Sequence, residues 1–270
     1  MEPEMIKTTV TLLKDLLPEI YGDALKPGMK AVGHAIGDAL EMCLLPITAM
    51  GYVPKLAKAC LDKHLKTLEE KLNKIPEDKK ADIHPQISIP VIQKLLYTTN
   101  DNIAELFINL LTSSANIDMC SNAHPGFVEI ISQLSPDEAK IIQYLIGKND
   151  IQYAEVKAYV KNGNGYNTLL PKSTLTPFHV ALDFPNNIHA YYSNLVRLGI
   201  LEDESGTYKI ANNVYDEIAE KYNFDQSKKL VPDYFNKIEI EKSYYEVTPF
   251  GKLFISACSS TPNKISAYER

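Results

Sequence analysis

The stretch NLVRLGILEDESGTYKI, residues 194–210, decides the predicted fold of the C-terminal half of this chain. Its first residues close a helix predicted over 188–198, and Gly199 ends that helix because glycine readily adopts the left-handed conformation of a helix C-terminus. The residues that follow, 200–210, predict a short hairpin. A helix followed directly by a small hairpin is typical of a winged helix, in which Arg197 would lie near the end of the recognition helix.

The rest of this half is predicted to be mainly helical, with a little sheet. Helices are predicted at 136–146, 152–160, 212–222 and 248–258, and a second strand pair at 237–247. The Gly- and Asn-rich loop at 161–166 leads into a less regular stretch. Because three helices then precede the hairpin, we expect a winged-helix-like domain in this half.

A capping box marks the start of this half. Ser135 takes the helix N-cap, Pro136 takes the first helical position, and Glu138 follows three residues after the cap. Helix capping and the positive end of the helix dipole account for Asp137 and Glu138. Before this point only helices are predicted, and after it helices alternate with short strands. We therefore place a domain boundary between residues 134 and 135.

The N-terminal part is predicted to be a helical domain built of Gly- and Ala-bearing amphipathic helices. Apolar residues recur at steps of three and four, which predicts helices over 5–21, 54–75, 88–97, 100–117 and 125–134. The predicted fold class is therefore mainly α with a minor β component. An N-terminal helical bundle, 1–134, precedes a winged-helix-like domain with small β-hairpins, 135–270.

Two features near the N-terminus leave a membrane role open. Gly28, Gly33 and Gly37 would let helices approach closely, and no charged residue occurs in 42–54. A helix needs about 20 residues to span a bilayer, so this run is too short for a transmembrane helix. It predicts either a buried core helix or a helix that lies in the membrane interface.

The lysine-rich helix predicted at 54–75 has two interpretations. Its apolar stripe consists of Leu61, Leu65, Leu68 and Leu72, and its lysines face elsewhere. Such a helix can bind anionic lipid, or it can form a solvated outer face whose lysine stems cover apolar surface. The solvated face is favoured because it is commoner.

Composition excludes several classes of protein. The chain has 270 residues, of which 45% are hydrophobic and 23% are charged, as in ordinary soluble domains. With 28 Lys and Arg against 34 Asp and Glu, the net charge of −6 argues against general affinity for nucleic acid.

Because no secretory signal and no CxxC spacing occur, we expect a cytoplasmic protein with buried free thiols. The cysteines are Cys43, Cys60, Cys120 and Cys258.

The charge of the predicted winged helix also argues against DNA binding. Its recognition helix has a single Lys or Arg residue, Arg197, although its polar side chains could hydrogen-bond bases. The predicted wing is acidic, with Glu202, Asp203 and Glu204. Because carboxylates repel phosphates, a role in protein contact or dimerisation is favoured over sequence-specific DNA binding.

No catalytic or cofactor motif is found in the sequence. P-loop, GxSxG, HExxH and EF-hand patterns are missing, and no histidine has a metal partner at i, i+4 spacing, so neither a cofactor nor a metal is expected. His124 lies five residues before Glu129; a catalytic pair is conceivable, but local capping or packing is favoured. Four tyrosines could form a stacking platform, although core or interface packing is commoner. They are Tyr191, Tyr192, Tyr244 and Tyr245.

Four stretches of the chain are similar to one known family. They are LLYTTNDNIAELFINLLTSSA (95–115), AHPGFVEIISQLSPDEAKII (123–142), NLVRLGILE (194–202) and VTPFGKLFI (247–255). Over residues 85–260 the chain resembles the bacterial abortive-infection alpha (Abi-alpha) family. The resemblance implies a role in defence against bacteriophage, in which an infected cell stops growing or dies.

The resemblance carries over no catalytic residue. The matching positions are expected to have structural roles, which are to join the two halves of the chain and to dock the last helix. They are His124, Pro125, Phe127, Glu129, Ser135, Pro136, Asp137, Glu138, Arg197, Thr248, Pro249, Phe250 and Gly251.

The hypothesis from the sequence is a non-enzymatic antiphage defence protein that acts through protein contacts, either with a partner protein or by self-association. Two alternatives stay open. One is an effector that acts at a membrane surface through the N-terminal helices, with peripheral membrane association. The other is a winged-helix regulator that binds DNA. An enzyme acting on nucleic acid ranks below both.

Overall fold

The computed structural model describes residues 55–161, 165–210, 213–229 and 235–259, together with Ala39, Met42 and Cys43. About 53% of the described residues are helical, and 20% lie in a four-stranded antiparallel sheet. The chain is therefore mixed α and β, with more sheet than the sequence predicts. The predicted helix at 5–21, the Gly28–Gly37 segment and most of the run 42–54 lie outside the described residues.

The described residues form two compact units. Unit 1 contains those up to Ala139 and those from Leu253 onward, and unit 2 is Lys140–Lys252. Each division between the units falls inside a helix.

Unit 1 is helical. Its helices are α1 (Lys55–Leu72), α2 (Pro85–Leu95), α3 (Asp101–Ser114) and α4 (Gly126–Ser132), with 3-10 turns at Glu77–Lys79 and Cys120–Asn122. Helix α5 (Pro136–Tyr144) begins in this unit, and α10 (Pro249–Cys258) ends in it. These elements match the helices predicted at 54–75, 100–117, 125–134, 136–146 and 248–258.

The core of unit 1 forms around α3. The side chain of Asn100 caps this helix by accepting hydrogen bonds from the N–H groups of Asn102 and Ile103, at 3.1 and 3.2 Å. Phe107 on α3 is buried, and so are Leu68 and Leu72 on α1, which contacts α3. Leu65, Leu68 and Leu72 of the predicted leucine stripe therefore face the core of unit 1.

The predicted start of α2 at Ser88 is wrong. The helix begins at Pro85, where His84 caps it by accepting a hydrogen bond from the N–H of Gln86 at 3.2 Å. Pro90 consequently lies inside the helix. The spacing of apolar residues did not reveal this start because a histidine ring, which is an uncommon N-cap, provides the acceptor.

Unit 2 is built on the sheet. Its strands are β1 (Asp150–Val160), β2 (Tyr166–Thr174), β3 (Leu201–Glu204) and β4 (Phe235–Val247), in the order β2-β1-β4-β3. Its complete helices are α6 (Thr176–His179), α7 (Ile188–Arg197), α8 (Val214–Lys221) and α9 (Phe224–Lys229), with a 3-10 turn at Pro185–Asn187. Helices α7 and α8 match the helices predicted at 188–198 and 212–222.

The helix predicted at 152–160 is wrong, because this segment is strand β1. From Ala154 onward its burial alternates: Val156 and Ala158 are fully buried between partly exposed neighbours, which is the period of a strand. The strand pairs with β4 along its whole length and with β2 on its other side. The irregular stretch predicted after 161–166 is accordingly wrong too, because it forms β2.

Both strand pairs predicted from the sequence are wrong. Within 200–210 the first strand forms, but it pairs with β4, with Leu201 opposite Val247 and Glu204 opposite Tyr244. The predicted pair at 237–247 is one continuous strand. Both errors have the same cause: β3 and β4 are about 40 residues apart along the chain and β1 and β4 about 85, and local spacing does not reveal partners so distant.

One face of the sheet carries an apolar core. Ala154 and Val156 of β1 pack there with three residues of α8 and α9, which are Tyr215, Ile218 and Phe224. Because successive side chains of a strand point to opposite faces, Tyr153 and Glu155 lie on the other face.

Candidate functional site

The face of the sheet opposite Val156 carries a dense group of rings and charges, which we call the tyrosine face. Its five members come from five different elements, and they are Tyr153 (β1), Lys172 (β2), Tyr192 (α7), Asp203 (β3) and Tyr245 (β4). Strand register places Ile151 and Asp203 on either side of Tyr245, each directly opposite it. All five members belong to unit 2.

Three tyrosine rings pack together at the centre of this face. The Tyr192 ring stacks on the Tyr245 ring with centroids 4.6 Å apart and an interplanar angle of 6°. The Tyr153 ring also contacts Tyr245, with centroids 4.8 Å apart at 39°. The Tyr192 hydroxyl shares a 2.6 Å hydrogen bond with the Thr176 hydroxyl, so its polar atom is satisfied inside the protein.

The predicted stacking platform is therefore only partly assembled. Tyr192 and Tyr245 meet, but both are buried and stack on each other. Tyr244 precedes Tyr245 in β4 and so points to the opposite face, where the Lys209 ammonium lies 4.6 Å from its ring centroid. These rings hold the sheet and α7 together and do not present an open stacking surface.

Lys172 and Asp203 supply the charged side chains of the tyrosine face and contact its rings. The Lys172 ammonium lies 4.9 Å from the Tyr153 centroid and 5.6 Å from the Tyr245 centroid, within cation–π range. The same ammonium forms an ion pair with Asp203, which also accepts a 2.6 Å hydrogen bond from the Tyr153 hydroxyl. The group is thus a network in which each charge has a partner.

The pKa values of this face favour protonated side chains. Burial raises the pKa of Tyr192 and Tyr245 far above the usual tyrosine value, and it also raises the pKa of Tyr153. Burial lowers the pKa of Lys172, but the hydrogen bond and charge of Asp203 outweigh this effect, so the net pKa is raised. At neutral pH the tyrosines therefore remain neutral and the lysine remains a cation.

His189 stands beside this network at the start of α7. Partial burial lowers the pKa of its ring, and the charge of Lys172 lowers it further, while the charge of Glu155 raises it. The lowered pKa favours a neutral imidazole at neutral pH.

A second charged cluster lies farther along the same face of β1. Lys157 binds Glu241 at 2.5 Å and Glu155 at 3.3 Å, and the Tyr159 hydroxyl donates to Glu241 at 2.8 Å. Burial lowers the pKa of Lys157, but its two carboxylate partners raise it on balance, and the hydrogen bond from Lys157 lowers the pKa of Glu241. The hydrogen bond to Glu241 raises the pKa of Tyr159 to about 12. The single cation Lys157 is thus shared by two carboxylates.

The first set of family-motif residues forms the start of α4. Nδ1 of His124 accepts a 3.0 Å hydrogen bond from the N–H of Gly126, and Pro125 occupies the N-cap. Phe127 is fully buried and meets Phe254 edge-to-face, with ring centroids 5.2 Å apart. Glu129 is exposed in the first turn of the helix. One ring nitrogen of His124, Nδ1, is thus engaged in the local turn.

The second set forms the start of α5. The N–H of Ser135 donates to Glu138 at 2.6 Å, and the N–H of Glu138 donates to the Ser135 hydroxyl at 3.3 Å. Both hydrogen bonds of a capping box are therefore present, with Pro136 as the first helical residue. Asp137 and Glu138 are buried in this first turn.

The third set ties the start of α10 to the end of α7. The Thr248 hydroxyl donates to the carbonyl of Gly199 at 2.5 Å and accepts from the N–H of Gly251 at 2.8 Å. A β-carbon on Gly251 would lie 2.2 Å from the carbonyl oxygen of Ile200, so only glycine fits there. Gly199 itself has φ +74°, the left-handed conformation expected at a helix end.

The remaining motif residues are exposed or begin a helix. Pro249 is the first residue of α10, and Phe250 is 38% exposed. Arg197 is exposed on α7, where its guanidinium donates to the side chain of Asn194 at 2.7 and 3.1 Å.

The cysteines only partly follow the prediction of buried thiols. Cys258 is buried and its pKa is raised by burial, whereas the prediction is wrong for Cys120, which is exposed. Cys43 is partly buried, and its thiol donates to the carbonyl of Ile89 at 3.6 Å.

The described residues lack two features. Among them, no group of three or more His, Cys, Asp and Glu residues could hold a metal ion. No helix in the described part of the chain is both long and apolar enough to cross a membrane.

Fold and motifs together define a mixed α/β protein whose distinctive residues start helices, end them and join them. A model of the family named abortive infection alpha matches residues 58–258. The chain belongs to the abortive infection alpha family, as the resemblance of its motifs predicts.

Other comparisons add little. No curated protein matches the chain. A solved structure described as an uncharacterized protein from the hydrocarbon-degrading marine bacterium Alcanivorax borkumensis SK2 is similar at 14% identity. The match covers 48% of this chain and 90% of that one, with a TM-score of 0.34.

Proposed function

We propose that this protein is a non-enzymatic antiphage defence protein that acts through protein contacts. Membership of the abortive infection alpha family supports a role of the abortive-infection type. The observation that carries the proposed mode of action is the surface of α7 and its neighbouring strand, which suits a protein partner better than it suits DNA.

We place this surface on a winged-helix-like domain that extends over 135–270 and follows a helical bundle at 1–134. Strand order supports the assignment: β1, β4 and β3 are adjacent in the sheet, and β3 follows α7 directly. In this arrangement α7 corresponds to the recognition helix. The connection between β3 and β4, which includes α8 and α9, takes the place of the wing.

The outward face of α7 offers little to a phosphate backbone. Its most exposed residues are His189, Ala190, Ser193 and Arg197. His189 has a lowered pKa, and the guanidinium of Arg197 is already bonded to Asn194. A DNA-binding helix normally places several free cations against phosphates, so this face is a better match for another protein.

The neighbouring strand strengthens this argument. Strand β3, which follows α7, has no lysine or arginine and contains Glu202, Asp203 and Glu204. Because carboxylates repel phosphates, this strand supplies nothing that would bind a DNA backbone.

The ionisation states on the tyrosine face support a non-enzymatic role. Acid–base catalysis works best when the pKa of the catalytic group lies near the working pH. Here the tyrosine pKa values and that of Lys172 move away from neutrality, so these side chains stabilise the sheet and are poor proton carriers.

The rival membrane role loses one of its supports. Leu65, Leu68 and Leu72 of the lysine-rich helix are buried inside unit 1 and are not available to a lipid surface. We accordingly propose a cytoplasmic protein without stable membrane association.

The proposal is tested with the full chain in bacteria and in solution. We expect cells that produce it to plate at least one phage of a broad panel about tenfold less efficiently than cells with an empty vector, through loss of the infected cells. We expect the purified chain to show no binding to duplex DNA at low salt and no flotation with anionic vesicles, conditions that favour electrostatic binding.

Three results would contradict the proposal. Unchanged plating across the panel would remove the defence role. Salt-dependent DNA binding would favour the regulator, and vesicle flotation would favour the membrane effector.

A further inference from the structure

Unit 1 contains a cavity of about 410 Å³ that no part of the proposed function uses. It lies where the end of α1 and the turn after it meet the second half of α3. Its volume is in the range of small-molecule binding sites. Its lining includes both polar and apolar residues, which is the mixed lining that such sites require.

Two donors of the polar lining residues are unused. Lys74 and Asn116 line the cavity, and within the described part of the chain the Lys74 ammonium and the Asn116 side-chain nitrogen make no hydrogen bond. The other amide atom of Asn116, its oxygen, accepts a 3.0 Å hydrogen bond from the N–H of Asp118, which fixes the orientation of the amide. A fixed amide donor and a free ammonium together suit an anionic acceptor.

The other polar groups of the lining are already engaged. The Lys71 ammonium binds Glu105 at 3.1 Å and the Asn109 side-chain oxygen at 2.5 Å. The hydroxyl of Ser113 donates to the carbonyl of Ala257 at 2.8 Å. Because Glu105 balances the charge of Lys71, the lining retains one unbalanced cation, which is Lys74.

Apolar side chains supply the rest of the contact surface. Ile75, Pro76 and Met119 line the cavity beside the free donors. An apolar or aromatic body fits such a surface, and the flexible thioether of methionine adapts to ligands of different shape.

We propose that this cavity binds a small organic anion, a carboxylate or phosphate carried on an apolar or aromatic body. Lys74 and Asn116 bind the anionic group. Ile75, Pro76 and Met119 contact the body. The site is separate from the surface of unit 2 on which the proposed function depends.

Titration calorimetry of the full chain tests this site with four probes of similar body: phenyl phosphate, benzoate, benzyl alcohol and benzylamine. We expect at least one anion to bind and the cation not to bind. Lys74→Gln should weaken anion binding about tenfold, as loss of one charge-assisted hydrogen bond does, while Lys74→Arg should preserve it. The ratio of phosphate to carboxylate affinity then identifies the preferred anionic group.

Lys66→Gln is the matched control, because Lys66 is an exposed lysine of α1 away from the cavity lining. It removes the same charge and should leave binding unchanged. Equal weakening by both substitutions, equal binding of benzylamine, or no anion binding up to about 10 mM would overturn the proposal. Phage plating does not enter this test, so its result is distinguishable from failure of the defence role.

Discussion

The side-chain amide of Asn109 on α3 donates a 2.9 Å hydrogen bond to the carbonyl of Cys258, the last residue of α10 and 149 positions away in the chain. The amide oxygen of the same residue accepts from the Lys71 ammonium at 2.5 Å. Asn109 is buried, so the bond satisfies a helix C-terminal carbonyl that water does not reach. The last helix of the family motif is thereby anchored to the core of unit 1.

Asn109→Ala should reduce the free energy of unfolding by about 1–3 kcal/mol, because the carbonyl of Cys258 loses its donor. Asn109→Asp should be similarly costly, since it keeps the acceptor for Lys71 but loses the amide hydrogens. Urea unfolding followed by circular dichroism measures both. Asn73→Ala, at an exposed asparagine, is the control and should stay within about 0.5 kcal/mol of the wild type. Equal stability of the Asn109 and Asn73 variants would show that the amide does not anchor α10.

Gly251→Ala should destabilise unit 2 by about 3 kcal/mol or prevent its folding, because the new β-carbon would lie 2.2 Å from the backbone oxygen of Ile200. The neighbour is main chain and cannot move aside as a flexible side chain could. Gly165→Ala is the control, since its β-carbon would meet a side-chain carbon of Val160 at an ordinary 3.7 Å. Thermal melting of the two variants checks the prediction, and equal melting temperatures would refute it.

Ser135→Ala should cost about 1 kcal/mol through loss of the N-cap of α5. Ser132→Ala is a suitable comparison, because the Ser132 hydroxyl bonds back to the Val128 carbonyl at 2.8 Å, an interaction that contributes little to a helix. Chemical denaturation should separate the two variants. A Ser135→Ala curve that overlays the Ser132→Ala curve would mean that the capping box adds no stability.

Alkaline pH should destabilise the tyrosine face. Burial raises the folded-state pKa of Tyr192 and Tyr245 above the unfolded value of about 10, so the folded state keeps protons that the unfolded state releases. The stability that depends on these protons is complete below about pH 10 and is lost as the pH rises above it. Lys172 also has a raised pKa and adds to the same loss.

Tyr192→Phe isolates one of these groups. It should cost some stability at neutral pH, because the hydrogen bond to Thr176 is lost. Above about pH 10 its stability should then fall less steeply than that of the wild type, by up to about 1.4 kcal/mol per pH unit. Urea unfolding at a series of pH values from neutral to alkaline measures both slopes. Parallel slopes would show that Tyr192 does not retain its proton in the folded state.

The motifs that start and end helices were predictable from the sequence. The capping box of Ser135 and Glu138, the helix end at Gly199 and the start of α10 at Thr248 each depend on residues a few positions apart. Their physical cause is contained in the segment that shows them.

The sheet and the tyrosine face were not predictable in this way. β1 carries Tyr153, Ala154, Glu155 and Lys157, whose mixed character also fits a helix, and only pairing with β4 about 85 residues later makes it a strand. The ion pair of Lys172 with Asp203 joins a segment predicted to be irregular to one predicted to be a wing. No short-range spacing reveals such a contact.

The most direct test of the central claim is phage plating with Ser193→Arg, which adds a cation to the outward face of α7. Ser132→Arg is its matched control, because both serines are exposed on helices and both hydroxyls bond the carbonyl four residues earlier at 2.8 Å. If the face contacts a protein, Ser193→Arg should return plating to nearly the empty-vector level, a gain of about tenfold, at an unchanged melting temperature, while Ser132→Arg still protects. Undiminished or stronger protection by Ser193→Arg, as an added phosphate contact would give, would contradict the account.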